Sequence, residues 1–171
     1  MTPRVIEQNN DWTLDTNVII NANSGRGVTR ELVECIGKNG YLCWSKAIAQ
    51  EYLSRGATNL KQGCPPVPVA VTGSDVKWFD FWLAVPGRHI SVPTLRRLSG
   101  AEKSSLIGIP FRDTGDYRFL ELARSSRSRR LVTQEKDYND RAIRGIKRVL
   151  DVRCLNYDEA LFECQPNNSQ S

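Results

Sequence analysis

Short apolar runs alternate with segments of helical period along this chain, and that alternation restricts the fold more than any other feature. Trp12-Thr13-Leu14 reads as a strand that stops at Asp15-Thr16-Asn17. The apolar Val18-Ile19-Ile20 follows, then a polar loop through Gly27. Val28, Leu32, Val33 and Ile36 recur at helical spacing, and Gly37 and Gly40 bound that segment. Tyr41-Leu42-Cys43-Trp44 reads as a second strand. Ser45 is placed to cap a helix over 46–55, which stops at Gly56. Strand, helix, strand, helix in this order predicts an α/β fold with a parallel sheet flanked by helices.

The middle of the chain is less patterned. Residues 57–68 form a Gly- and Pro-rich loop. The stretch from Ser74 to Val85 reads as a helix, stopped by Pro86-Gly87, whose Trp78, Phe79, Phe81 and Trp82 require a large buried face. Ile90-Ser91-Val92 and Leu106-Ile107 are short strands or irregular.

The stretch from Phe111 to Asp137 gathers the chemistry. Asp113 is placed to cap a helix, with Asp116 three residues on as its box partner. Phe119, Leu120, Leu122 and Ala123 supply that helix with a buried side. Leu131-Val132-Thr133 is a short strand that ends at an acidic turn, Glu135 to Asp137. Residues 138–147 predict a helix and 149–155 a final strand. Asn156 then caps a short helix with Glu159 as its partner. The expected organisation is an arm at 1–10, one domain at 11–162 with an enlarged middle segment near 57–110, and a disordered tail at 163–171.

At 171 residues the chain is long enough for one domain with a core. A 40% hydrophobic and 25% charged composition is that of a soluble protein. No apolar run approaches a membrane span, and the N-terminus lacks a signal pattern, so a cytoplasmic address without a membrane partner is expected. The net charge of +5 suits a polyanionic partner without demanding one. The five cysteines contain no Cys-x-x-Cys, and the single His89 cannot build a zinc site with them. Cys35, Cys43 and Cys154 are expected as buried reduced thiols.

In a parallel sheet, strands end and helices begin at the same carboxyl edge. Asp15, Glu51, Asp113, Asp116, Glu135 and Asp137 all fall where that edge would gather them. Two like charges about 4 Å apart repel by roughly 4 kcal/mol at an effective dielectric near 20, so such a set calls for a counterion. Carboxylates without His or Cys select hard cations, which points to Mg²⁺ or Mn²⁺. Any one of these acids is equally at home as a cap or turn former, so the argument rests on the set.

These residues resemble the motifs of the PIN domain family. Leu14-Asp15-Thr16-Asn17-Val18 looks like its opening. Ser45 followed six residues later by Glu51 resembles the second motif. Arg112-Asp113-x-x-Asp116-x-x-Phe119-Leu120-Glu121-Leu122-Ala123 resembles the third, and Leu131-Val132-Thr133-x-Glu135-x-Asp137 the fourth. The resemblance spans about 11–162. It implies a three-layer α/β/α sandwich and a Mg²⁺- or Mn²⁺-dependent ribonuclease acting by water attack on a phosphodiester. It implies Asp15, Glu51, Asp116 and Glu135 as metal ligands, with Asp113 an additional acid. Glu135 stands where the family most often has Asp, so Glu135 or Asp137 is the fourth ligand. Thr16, Asn17, Ser45 and Thr133 are supporting hydroxyl and amide groups. The enlarged middle segment shapes substrate choice or carries an interface.

Two basic clusters stand out: Arg124, Arg127, Arg129 and Arg130 before the fourth strand, and Arg141, Arg144, Lys147 and Arg148 after it. The first belongs at the amino edge, away from the acids. Arg112 is better placed, beside Asp113. Arg112, Arg141 and Arg144 are the candidate RNA contacts. An RNA substrate, an antitoxin protein and a homodimer are the partners considered. The rival readings are a catalytically weak PIN-like binding module and a small-molecule phosphohydrolase. The latter lacks the Asp-x-Asp after strand one, and no P-loop is present.

Overall fold

In the computed structural model, residues 10–23, 27–45, 47–48, 90–106, 116–134 and 138–166 are described. Their elements run β1 (Asp11–Leu14), α1 (Thr16–Asn23), α2 (Gly27–Asn39), β2 (Tyr41–Cys43), β3 (Ile90–Ser91), α3 (Gly100–Leu106), α4 (Asp116–Ser125), β4 (Arg130–Val132), α5 (Asp140–Leu150), β5 (Arg153–Leu155) and α6 (Tyr157–Cys164). Most of the helix expected over 46–55, the aromatic helix over 74–85, and the segments 107–115 and 135–137 lie outside the described residues.

The five strands form one sheet in the order β3-β2-β1-β4-β5, and every pairing is parallel. All four residues of β1 are buried, as expected for a central parallel strand covered on both faces. The chain leaves β1 toward β2 on one side and later returns to β4 on the other. Right-handed crossovers in opposite directions place their helices on opposite faces. Hence α1 and α2 form one layer, and α6 joins them by packing on α2. The other layer holds α4, against β1 and β4, and α5, against β5, with α3 packed on α5. This is an α/β fold with helices in two layers around a parallel sheet. No described helix is long and apolar enough to cross a membrane.

The core is one cluster drawn from both faces of the sheet. Trp12, Leu14, Leu32, Ile36, Leu42 and Leu120 are among its fully buried members. Gly40 is dictated by close approach: a Cβ there would collide with the Asn10 carbonyl oxygen and crowd the Trp12 ring. The Gly40 N–H closes α2 on the Ile36 carbonyl, and the next N–H, Tyr41, starts β2 on Asn10.

Several expectations are corrected. The polar loop expected from Ile20 to Gly27 begins later, because α1 runs Thr16–Asn23 and carries Val18, Ile19 and Ala22 into the core, and α2 begins at Gly27 itself. Leu106 ends a helix, not a strand. Ser99 and Glu102 form a reciprocal capping box at its start: Ser99 N–H donates to Glu102 Oε1 (2.9 Å), and Glu102 N–H donates to Ser99 Oγ (3.1 Å). The helix expected over 138–147 runs Asp140–Leu150, capped by Asn139 Oδ1 on the Ala142 N–H (2.9 Å). Val149 and Leu150 are therefore helical, and β5 begins only at Arg153. Asp151, left-handed at φ 54°, makes the break. The cap at Asn156 is as expected, with Oδ1 accepting the Glu159 N–H (2.8 Å). Its helix runs two residues past 162, because Glu163 pairs with Arg130 and Arg153 and Cys164 is buried. Cys43 and Cys154 are buried free thiols, as is Cys164, whereas Cys35 is half-exposed.

Candidate functional site

The register of the sheet builds a row across its carboxyl edge. Trp12 pairs with Leu42 and Leu14 with Val132. Continued by a few residues, the same register sets Ser45, Asp15 and Thr133 side by side, one per strand, at spacings of about 4.8 Å. The order of strands reverses between β1 and β4, so this is the topological switch point, where open α/β sheets form a crevice.

The backbone holds Asp15 in that row. Its N–H donates to the Val132 carbonyl (3.0 Å), which ties it to β4. Its carbonyl accepts from the Val18 N–H (3.0 Å), which opens α1. Asp15 is thus the pivot between strand and helix, and its side chain is half-buried. Thr133 is held in the same way, its N–H on the Leu155 carbonyl (3.0 Å).

The hydroxyls around Asp15 differ in their commitments. Ser45 is buried, and its Oγ accepts the Ile48 N–H (3.2 Å), as expected of a helix cap. The hydroxyl proton remains for another acceptor. Thr133 is buried. Thr16 is 4% exposed, and its Oγ1 has no hydrogen-bond partner among the described residues. A buried hydroxyl without a partner costs about 1–3 kcal/mol, so its position calls for a reason. Asn17 is half-buried in the first turn of α1. Asn21, one turn on, donates to the Tyr157 hydroxyl (3.3 Å) and ties α1 to α6.

Asp116 is the first residue of α4, which leads into β4 and so opens at the same carboxyl edge. Asp15 and Asp116 are therefore brought to one edge by the topology. Glu51, Asp113, Glu135, Asp137 and Arg112 lie outside the described residues. Among the described residues, no group of three or more His, Cys, Asp and Glu side chains is arranged to hold a metal ion.

The two arginine clusters have different fates. Arg124 pairs with Glu102 (2.6 Å), Arg129 with Asp151 (3.3 Å) and Arg130 with Glu163 (3.5 Å). The first cluster is thus largely committed to holding the amino edge together. Arg141 and Arg144 are exposed on α5.

The sequence marks Thr16 as a supporting hydroxyl but not as a buried one. The signal was present in Leu14-Asp15-Thr16, but its burial depends on α1, which the run into Asn21-Ala22-Asn23 did not suggest.

The fold places this chain among α/β proteins with a parallel sheet whose strand order reverses between β1 and β4. Comparison of the chain with protein-family models, with curated proteins and with solved structures finds no match.

Proposed function

We propose that this chain is a PIN-type ribonuclease that cleaves RNA with Mg²⁺ or Mn²⁺. The observation that carries the reading is Asp15 at the switch point, flanked in register by Ser45 and Thr133, with Asp116 opening a helix at the same edge. Asp15, Ser45, Thr133 and the backbone of Asp116, one residue from each of the four motifs, support the reading by their place at this edge.

The donor set fits a hard cation. Asp15, Thr16, Ser45 and Thr133 offer only carboxylate and hydroxyl oxygens at this edge. In this reading Asp15, Glu51, Asp116 and Glu135 or Asp137 hold the ion, and Asp113 adds charge beside them. When bound, the cation polarises a phosphate oxygen and lowers the pKa of a water. The chain's own part is to fix positions. The backbone bond from Asp15 to Val132 sets the carboxylate relative to β4. Thr16, in the first turn of α1, adds a buried hydroxyl next to Asp15 that makes no hydrogen bond among the described residues.

The address proposed is cytoplasmic, and the partners are an RNA substrate and either an antitoxin protein or a second copy of the chain. A small neighbouring open reading frame encoding a DNA-binding protein favours a toxin, and its absence favours RNA processing. The second reading is a catalytically weak RNA-binding or protein-interaction module, favoured by Glu135 in place of Asp.

The test is cleavage of a labelled single-stranded RNA with Mn²⁺. The wild-type chain should cut and chelation should stop it. Asp116→Asn should abolish cutting while the circular dichroism spectrum is kept. Full activity in that variant removes Asp116 from the site. A folded wild-type chain that binds RNA but never cuts it leaves the binding module.

A further inference from the structure

One charged surface lies outside the candidate site at the carboxyl edge: the outer face of α5, which carries Arg141 and Arg144. The helix is amphipathic. Ala142, Gly145, Ile146 and Leu150 are buried against the core. Arg141, Arg144, Lys147 and Arg148 are exposed. Because the apolar face is already buried, this helix cannot lay itself on a membrane as a free basic amphipathic helix does.

The arginines are not there for the helix. Lys147 is tied to Asp151, one turn on. Arg141, Arg144 and Arg148 form no ion pair among the described residues, in contrast to Arg124, Arg129, Arg130 and Arg153. Arg141 stands in the first turn, where the helix dipole disfavours a cation. Like charges three and four residues apart each destabilise a helix by about 0.2–0.5 kcal/mol. At helical spacing the three lie on one stripe about 10 Å long. That length is close to the Debye length at physiological salt, roughly 8 Å, so their charges act together on a nearby anion.

Position gives the stripe its direction. α5 follows β4, so it begins at the carboxyl edge and runs toward the amino edge. Arg141 is nearest the candidate site and Arg148 farthest. Arg118, also exposed, stands in the first turn of α4 at the same edge and in the same helix layer. Together they outline a basic path that starts beside the acids and continues along the outside of α5.

We propose that this stripe is the track on which the phosphodiester backbone of single-stranded RNA lies as it leaves the carboxyl edge, with Arg141, Arg144 and Arg148 each facing a phosphate. The choice of RNA rests on the ribonuclease reading; the basic surface itself does not. The track makes contacts to the backbone and none to bases, so its contribution is independent of RNA sequence.

The test is binding without cleavage. Anisotropy of a fluorescein-labelled 12-nucleotide single-stranded RNA is measured on the full chain in EDTA at several salt concentrations. The variants are Arg141→Ala/Arg144→Ala/Arg148→Ala together, and as a control Arg30→Ala/Lys38→Ala on α2 in the opposite layer. Three lost phosphate contacts should make the slope of log K against log salt shallower by about 2, since each contributes roughly 0.7 on single strands. Affinity near 0.1 M salt should fall at least ~10-fold, and the control should stay within ~2-fold. Arg144→Glu alone should also weaken binding, which keeps the test available if the triple variant misfolds. An unchanged slope, an equal loss in the control, or no RNA binding by the wild-type chain overturns the track. Mn²⁺-dependent cutting with an unchanged slope sinks the track and leaves the nuclease. A shallower slope without cutting sinks the nuclease and leaves the track.

Discussion

The guanidinium of Arg130 lies 3.6 Å above the ring centroid of Trp12. The two residues sit at the amino ends of the neighbouring strands β4 and β1, and Glu163 of α6 closes the arrangement from the helix side. The Arg130 side chain is 9% exposed and that of Glu163 26%. Arg130→Ala should lower stability by about 2–3 kcal/mol, because it removes packing and stacking and leaves Glu163 with one partner fewer. Arg130→Lys keeps the charge but not the plane, and should lose about half as much. Urea midpoints at constant slope measure both. A loss under ~0.5 kcal/mol for Arg130→Ala would mean that the stack contributes nothing.

Asp11 is buried, and its carboxylate closes the turn before β4. Its two oxygens accept the backbone N–H groups of Arg127 (3.0 Å) and Ser128 (2.9 Å). Asp11→Asn presents one donor where an acceptor is required. It should cost about 1–3 kcal/mol and speed hydrogen exchange at the Arg127 and Ser128 amides. Unchanged exchange at those two amides would count against this role.

The capping box at Ser99 and Glu102 makes stability depend on acid. The Ser99 backbone N–H, and after it the Arg124 side chain, hold the Glu102 carboxyl down at about 2 from an ordinary 4.5. The stabilisation is therefore full above pH 4.5 and fades as pH falls toward 2. Glu102→Gln should flatten the acid limb of the stability profile in that window and leave the profile above pH 6 parallel to the wild type. An acid limb of unchanged slope would refute this assignment.

The thiols should differ sharply in reactivity. Burial pushes the Cys154 thiol up to about 12 and raises Cys43 and Cys164 as well. Cys35 is half-exposed. On a Cys64→Ser background, an aromatic disulfide reagent at pH 8 should label a single fast thiol in the native chain, and Cys35→Ser should remove it. Two or more fast thiols would show that the core opens on the labelling timescale.

Thr16 separates fold from function. Thr16→Val removes a buried hydroxyl that has no partner among the described residues. Stability should hold or rise by about 1 kcal/mol, while the proposed RNA cleavage should fall. A substantial loss of stability would mean that the hydroxyl serves the fold.

The alternation of short apolar runs with helical segments was enough to give the α/β class and a parallel sheet, because strands covered on both faces favour short, largely apolar runs. The buried Asp11, Thr13 and Arg130 of β1 and β4 depart from that pattern. Local caps were legible where both partners lie within three residues, as at Asn156 and Glu159. The box at Ser99 and Glu102 had the same spacing but lacked the apolar period that would have drawn the eye to it. The start of α1 was hidden because Thr16 and Asn17 read as turn formers, and only burial of Val18 and Ile19 overrides that preference.

By itself the sequence determined the periodicities, the short-range caps and the kinds of acid available, since these depend on neighbours within a few residues. The tertiary structure alone decided that β1 lies between β2 and β4, and hence that Asp15 stands beside Ser45 and Thr133. It also decided which arginines are spent on ion pairs and which are not. Those outcomes depend on contacts between segments from ten to more than a hundred residues apart, from Arg153 with Glu163 to Asp11 with Ser128, which no local pattern encodes.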